Sequence, residues 1–169
     1  MSFFVVDVES DGPIPHKYSM VSFGAVLVDD KLDKTFYGKT RPISQEWLPE
    51  ALAISGHSRT EHEAFDDPAA VMQSFAEWLE SVNSNGRPIF ASDNVAYDWQ
   101  WINYYCHQYL GRNPFGFSGR RICDIICDLE KDLRFNWKKF RKTAHDHNPV
   151  NDAIGNAEAL SPFHPLSLM

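Results

Sequence analysis

The chain has 169 residues, 43% hydrophobic and 14% aromatic, a composition that excludes a disordered protein. This length fits a single domain over residues 1–169, and no stretch approaches the roughly 20 apolar residues that cross a bilayer, so no membrane partner is expected. The formal net charge of -7 disfavours nucleic acid as a partner of the whole surface, so contacts to phosphates require a local basic segment.

The first third of the chain is predicted to form three strands and a short helix. Residues 2–8 are an apolar, β-branched run that predicts strand one. Residues 20–28 and 35–40 flank the polar turn DDKLDK and predict an antiparallel hairpin with a long loop. Residues 49–57 predict a short helix that ends at Gly56.

The middle of the chain continues with a helix, a strand and a second helix. Asp67 suits an N-cap, and Pro68 suits the first position of a helix whose apolar residues recur on one face. A short buried strand over residues 87–92 leads to a helix over residues 95–110, which Asn94 can cap.

The last third starts with a strand over residues 120–126 that passes into a helix, and it ends with a helix over residues 151–160. Between them, an apolar stripe at helical spacing predicts another helix packed on the core: Leu133, Trp137, Phe140 and Ala144. Three strands followed by alternating helices and strands predict an α/β domain with a mixed sheet.

Two carboxylates close the first strand on the same face, because Asp7 and Glu9 are two positions apart. Two like charges at a strand end repel each other unless a positive group lies between them. A lysine, an arginine or a metal ion can supply that charge. Alternatively, both can be ordinary strand-end acids bonded to loop amides.

Two further acids and a histidine lie at the starts of predicted helices. Asp98 opens the helix after the strand at residues 87–92, and Asp152 opens the last helix five positions after His147. Taken singly, each acid suits a helix N-terminus, and His147 suits a solvated loop. His145 is interpreted as a solvated loop histidine, because no carboxylate pairs with it at a useful spacing.

Taken in order, these patterns carry a resemblance. D-x-E ends strand one, N-x-x-x-D opens a helix, and H-x-x-x-x-D opens the last helix. The chain resembles the DEDDh family of 3′–5′ exonucleases over residues 3 to about 160. The resemblance implies a ribonuclease H-like fold: a five-stranded mixed β-sheet, with its first three strands antiparallel, flanked by helices. Ser10 and Asp93 stand where many members have threonine and histidine, and neither position is a ligand or base.

The resemblance also implies a chemistry, hydrolysis of phosphodiesters from a 3′ end by a two-metal mechanism that releases nucleoside 5′-monophosphates. Asp7 would bridge two divalent cations, Glu9 and Asp152 would complete one site, and Asp98 would hold the other. His147 would be the general base. Carboxylate oxygens suit Mg²⁺ or Mn²⁺.

The substrate side of the prediction is a single-stranded 3′ end, with RNA favoured over DNA. Residues 112–142 carry nine basic side chains against four acidic ones, which favours phosphate contacts. The residues predicted to bind substrate are Ser10, Asp11, Gly12, Asn94, Lys138, Lys139, Arg141 and Lys142. Many relatives of this kind are homodimers, so a homodimer is a possible assembly.

The cellular setting is predicted from the cysteines and the N-terminal residues. Cys106, Cys123 and Cys127 are a sparse, odd set, and no secretory-signal pattern precedes strand one, so a cytoplasmic location with reduced thiols is expected. Cys123 and Cys127 have no matching second pair, which disfavours a zinc site there.

Three other functions stay open at this point. One is a nucleic-acid-binding module without catalysis, and it predicts a missing acid or base. The second is a ribonuclease H-type endonuclease, which shares the fold but lacks the H-x-x-x-x-D histidine. The third is a metal-dependent hydrolase of a small phosphate ester.

Overall fold

A mixed sheet of five strands forms the centre of the computed structural model, which describes residues 2–84 and 86–163. Six residues of the predicted 1–169 domain, 164–169, lie outside the described part, as do Met1 and Asn85. The strands are β1 (Phe3–Ser10), β2 (Met20–Leu27), β3 (Thr35–Lys39), β4 (Ile89–Ser92) and β5 (Gly119–Arg121).

The strands lie in the order β3-β2-β1-β4-β5. The pairs β1–β2 and β2–β3 are antiparallel, whereas β1–β4 and β4–β5 are parallel. This arrangement confirms the predicted α/β fold, with its mixed sheet and antiparallel first three strands. Because β1 and β4 run in parallel, their carboxyl ends meet at one edge of the sheet, where the following loops and helices converge.

Helices cover both faces of the sheet. They are α1 (Pro49–Ile54), α2 (Arg59–Glu63), α3 (Pro68–Val82), α4 (Val95–Leu110), α5 (Ile122–Glu130) and α6 (Pro149–Leu160), with 3-10 turns at Trp137–Phe140 and Ser161–Phe163. Among the described residues, no helix has both the length and the apolar character needed to span a bilayer.

The alternation of β1 determines which helices its side chains face. Phe4, Val6 and Val8 belong to an apolar cluster with side chains of α3 and α4, on one face of the sheet. Val5 belongs to a second cluster with side chains of α5 and α6, on the opposite face. Asp7 and Glu9 share the face of Val5, so the strand directs both carboxylates toward the α6 side.

The sequence predictions were wrong at one helix and incomplete at another. Leu133 is 91% exposed, and only one 3-10 turn, with Trp137 buried inside it, forms where a longer helix was predicted. The helix fails to form because Lys131 ends α5 in the left-handed conformation. The Asp132 carboxylate then accepts a hydrogen bond from the Arg134 amide, which forms a turn. The short helix α2 was not predicted at all.

Several element ends differ in detail from the predictions. β1 extends to Ser10, because pairing with β2 continues past Glu9 through a register shift. Asp67 and Asn94 occupy N-cap positions, as predicted, but neither side chain makes a capping hydrogen bond. Asp67 instead pairs with Arg41 at 2.6 Å. Helix α4 has the predicted bounds.

Candidate active site

Three carboxylates from two elements meet at the edge of the sheet. Asp7 and Glu9 come from β1, and Asp152 comes from the first turn of α6. One oxygen from each of the three lies within 4.8 Å of the others. The acids that are far apart in sequence are therefore neighbours in space, within the span that one cation can bridge.

A glycine in β2 allows α6 to come this close. Gly24 pairs with Asp7 across the strands, and a Cβ added to it would lie 2.3 Å from the carbonyl atoms of Pro149. Any larger residue at Gly24 would push the start of α6 away from the sheet. The close contact of strand and helix backbone thus sets the distance between Asp152 and Asp7.

Asp98 joins the group from α4. Its side chain is only 4% exposed, and its Oδ1 accepts a hydrogen bond from the amide of Val8 at 3.1 Å. After burial, the charge of Asp98 is the strongest influence that raises the pKa of Asp7. Asp98 and Asp7 therefore lie close enough to repel each other when both are ionised.

The electrostatics of this group favour a bound cation. Burial, together with the charges of Asp98, Glu9 and Asp152, raises the pKa of Asp7 well above its usual range. Burial and the Asp152 charge raise the pKa of Glu9 to about 7, and burial raises that of Asp98 to about 8. Carboxylates this close in a partly to fully buried site stay ionised at neutral pH only beside positive charge, and an all-oxygen donor set fits a hard divalent cation.

His147 lies at the mouth of the site in a constrained loop. Its backbone has φ of 60°, a left-handed value that non-glycine residues adopt at some energetic cost. Its amide donates to Asp152 Oδ2 at 3.1 Å, and its Nδ1 lies 3.5 Å from Glu9 Oε1. The side chain is 47% exposed, so the imidazole is tied to the carboxylates yet reaches solvent.

The interpretation of His145 as an unpaired loop histidine is wrong. Its Nδ1 lies 2.6 Å from Asp152 Oδ1, and its ring centroid lies 4.4 Å from that of His147. Sequence spacing did not indicate this pairing, because the left-handed turn at His147 folds the preceding loop back over the start of α6. In the sequence, the only sign of this pairing was the alternation H-D-H, which places both histidines ahead of a helix.

The structure places Arg141 inside the site. Its guanidinium contacts Asp152 Oδ1 at 2.8 Å and donates to Asn156 Oδ1 at 3.0 Å, and the side chain is 10% exposed. Gly155 makes room for it, because a Cβ there would lie 2.7 Å from Nε and Nη2 of Arg141. This location gives Arg141 a carboxylate partner where a phosphate was predicted.

The loop after β1 is held by internal contacts. Ser10 donates to the Gly12 carbonyl at 2.6 Å and lies 2.5 Å from the Tyr97 hydroxyl. The Asp11 amide donates to the Ser19 carbonyl at 2.9 Å, and the buried Asp11 carboxylate pairs with Arg59 at 3.0 Å. The amide and the carboxylate of Asp11 therefore serve the shape of the loop.

The remaining residues predicted to bind substrate lie on the surface. Lys138 pairs with Asp93 at 2.7 Å, next to the exposed Asn94, and Lys139 stacks over the Phe135 ring at 4.4 Å. The Lys142 side chain is exposed, while its amide donates to Glu158. These groups are accessible, and their contacts with phosphates stay predictions.

The mixed sheet and the acids gathered at its edge define the class of DEDDh 3′–5′ exonucleases, as the sequence predicted. The family model for the 3'-5' exoribonuclease Rv2179c-like domain matches residues 2–163, and the chain belongs to this family. It is therefore an exonuclease that shortens nucleic acid in the 3′–5′ direction.

Individual relatives agree with this assignment. The chain is 35% identical to the 3'-5' DNA exonuclease Cap18 of Escherichia coli over an alignment of 177 residues. This alignment covers 98% of this chain and 92% of Cap18. The fold matches the nuclease domain of 3'hExo, a DEDDh family member bound to rAMP, with a TM-score of 0.75, 14% identity and 95% and 90% of the two chains covered. It also matches E. coli Exonuclease I in complex with a dA16 oligonucleotide, with a TM-score of 0.69, 17% identity and 99% and 42% coverage.

Proposed function

We propose that the chain removes nucleotides from the 3′ end of single-stranded nucleic acid, releases nucleoside 5′-monophosphates, and uses two divalent cations, Mg²⁺ or Mn²⁺. The observation that carries the proposal is the convergence of Asp7, Glu9 and Asp152 within 4.8 Å. The buried Asp98 and the half-exposed His147 beside them complete the set. When bound, such cations lower the pKa of an attacking water and stabilise the departing oxyanion.

The chain's own residues have distinct roles in this proposal. The charges of Asp98, Glu9 and Asp152 all act on Asp7, so Asp7 would hold both cations. Glu9 and Asp152 would complete the site of one cation, and Asp98 would hold the other. The His147 amide and Arg141 fix both oxygens of Asp152, which limits its rotation.

His147 is the proposed general base. Its imidazole is 47% exposed beside the Glu9 carboxylate, so it can take the proton of an attacking water. Imidazole side chains commonly serve as general acids and bases in proteins. The contact between its Nδ1 and Glu9 orients the ring.

The His147→Ala variant tests this role. General base catalysis typically contributes roughly 10²- to 10⁴-fold, so we expect a loss of turnover of that size. Affinity for Mg²⁺ or Mn²⁺, measured by calorimetry, should stay close to that of the parent. Affinity for substrate, measured by fluorescence anisotropy, should do so as well. Near-normal turnover in His147→Ala would remove His147 from the mechanism.

RNA is the proposed preferred substrate, and the family description as an exoribonuclease supports this choice. DNA is the second candidate, because the 35% identical relative Cap18 is a DNA exonuclease. The exposed side chains of Lys138, Lys139 and Lys142 are proposed to follow the phosphate backbone of either strand. Asn94 and the loop of Ser10, Asp11 and Gly12 are proposed to lie along the terminal nucleotide.

The deciding experiment uses RNA and DNA oligomers of one sequence, labelled at the 5′ end and incubated with Mg²⁺ or Mn²⁺. We expect a ladder of products shortened stepwise from the 3′ end, faster on RNA, with nucleoside 5′-monophosphates seen by chromatography. Asp7→Asn is the control that should abolish the ladder. Internal cuts would favour a ribonuclease H-type endonuclease, and intact oligomers a binding module without catalysis.

A further inference from the structure

Two imidazoles and a carboxylate form a second group of ligand atoms next to the acidic one. One donor atom each from His145, His147 and Asp152 lies within 4.8 Å of the others. The two rings are in edge contact, with centroids 4.4 Å apart, and His145 Nδ1 reaches Asp152 Oδ1 at 2.6 Å. This group shares Asp152 with the acidic cluster but has a different chemistry, because two of its three ligands are nitrogen.

Ligand chemistry separates the metals that the two groups prefer. Carboxylate oxygens suit Mg²⁺ and Mn²⁺, whereas imidazole nitrogen suits Zn²⁺ and other late first-row ions. A Zn²⁺ site with three protein ligands keeps a fourth position for water. The side chains of His145 and His147 are 55% and 47% exposed, so both rings can adjust and an ion can enter from solvent.

We propose that His145, His147 and Asp152 bind Zn²⁺ and that Zn²⁺ bound there inhibits the exonuclease. The inhibition rests on the proposed function, in which His147 is the base and Asp152 a ligand of the activating cation. A Zn²⁺ ion on these residues takes the lone pair of His147 that would accept the proton. It also takes an Asp152 oxygen that the activating cation needs, and replaces the contact between His145 and Asp152.

Calorimetry tests whether Zn²⁺ binds at these residues and needs no measurement of activity. Zn²⁺ is titrated into the full chain in excess Mg²⁺, which fills the oxygen-rich positions. We expect one Zn²⁺ per chain, with affinity weakened about tenfold or more in His145→Asn, which keeps a polar group near Asp152 but loses the imidazole. His107→Gln, at an exposed histidine on α4, is the matched control and should bind like the parent.

Two results of the Zn²⁺ titrations would contradict the proposed zinc site. The first is equal Zn²⁺ affinity in His145→Asn and the parent. The second is loss of Zn²⁺ binding in Asp7→Asn with retention in His145→Asn, which would place the ion among the carboxylates. Because these titrations need no turnover, they report on the zinc site even if the chain degrades neither RNA nor DNA.

Inhibition is then measured as the Zn²⁺ concentration that halves the Mg²⁺-supported rate, each variant being normalised to its own zinc-free rate. We expect His145→Asn to need about tenfold more Zn²⁺ than the parent, and His107→Gln the same amount. Higher activity of the parent with Zn²⁺ than without it would overturn the inhibitory role. So would equal inhibition of the parent and His145→Asn.

Discussion

Asp152 shows how much one residue of the site depends on its surroundings. The H-x-x-x-x-D pattern predicted Asp152 and His147 together, because the spacing places an acid at a helix start just after a loop histidine. Arg141 was predicted from charge alone, as one of several basic residues on a phosphate path. Its contact with Asp152 depends on tertiary packing against Gly155, and local sequence carries no signal for that.

We predict that Gly155→Ala disturbs the contacts that hold Asp152. Alanine inside a helix ordinarily gains about 1 kcal/mol over glycine. Here its methyl group would overlap the Arg141 guanidinium and break the contacts with Asp152 and Asn156. We expect a loss of about 1–3 kcal/mol in the free energy of unfolding and roughly 10- to 100-fold in metal affinity, measured by urea denaturation and calorimetry.

The control for Gly155→Ala is a double-mutant cycle with Arg141→Met. If the methyl group acts through Arg141, Gly155→Ala adds little once the guanidinium is gone, so the two effects are strongly non-additive. Fully additive losses would mean that Gly155 serves α6 in some other way. A gain in stability for Gly155→Ala alone would contradict the packing seen around Arg141.

At the scale of elements, the site depends on the contact between α6 and the sheet. The sequence predicted α4 with its observed bounds, because the strand before it and the apolar spacing within it agree. A helix was wrongly predicted around Leu133, where apolar residues at helical spacing lie in turns. Helix α2, which has only five residues, was not predicted. Spacing cannot show such outcomes, since local side chain–backbone bonds compete with helix formation.

Gly24→Ala in β2 is predicted to separate α6 from the sheet. The added Cβ would lie 2.3 Å from Pro149 backbone atoms, so α6 has to move outward and carry Asp152 away from Asp7. We expect a loss of about 1–3 kcal/mol in stability from overpacking, and a loss of metal affinity in the molecules that stay folded. Denaturant titration and calorimetry at low temperature separate the two effects.

Gly38→Ala in β3 is the matched control. Its Cβ would meet the side chains of Phe23 and Val71 at 2.4 and 2.9 Å, in the apolar cluster on the face opposite α6. It should therefore lower stability while leaving metal affinity per folded molecule unchanged. If Gly24→Ala binds metal as Gly38→Ala does, the close approach of β2 and α6 does not position Asp152.

The gathered acids make the stability of the folded chain depend on pH and on the cations proposed to bind them. Glu9 and Asp98 have ordinary pKa values of 4.5 and 3.8, and burial raises them to about 7 and about 8 in the folded chain. At pH values between the ordinary and the raised pKa values, the folded state binds more protons than the unfolded state. Without metal, this contribution to stability is fully present below about pH 4 and is lost as pH rises through 7 to 8.

We therefore predict that chelator-treated protein melts at a lower temperature at pH 8 than at pH 5.5, as measured by scanning fluorimetry. Mn²⁺ should reverse this loss, and its stabilising effect should grow with pH because cations bind ionised carboxylates. At a hundredfold excess over Kd, we expect a rise in Tm of roughly 5–10 °C at pH 8. Stabilisation by Mn²⁺ that is equal at both pH values would argue against the acids as ligands.

We propose that the acids of β1, α4 and α6 are tolerated together because divalent cations bind among them. The most direct test is a crystal of the zinc-free chain grown with Mn²⁺, with diffraction recorded on both sides of the manganese absorption edge. We predict an anomalous peak within coordination distance of Asp7, Glu9 and Asp152, lost in Asp7→Asn. A fully ordered site with no peak among these three carboxylates would contradict the account.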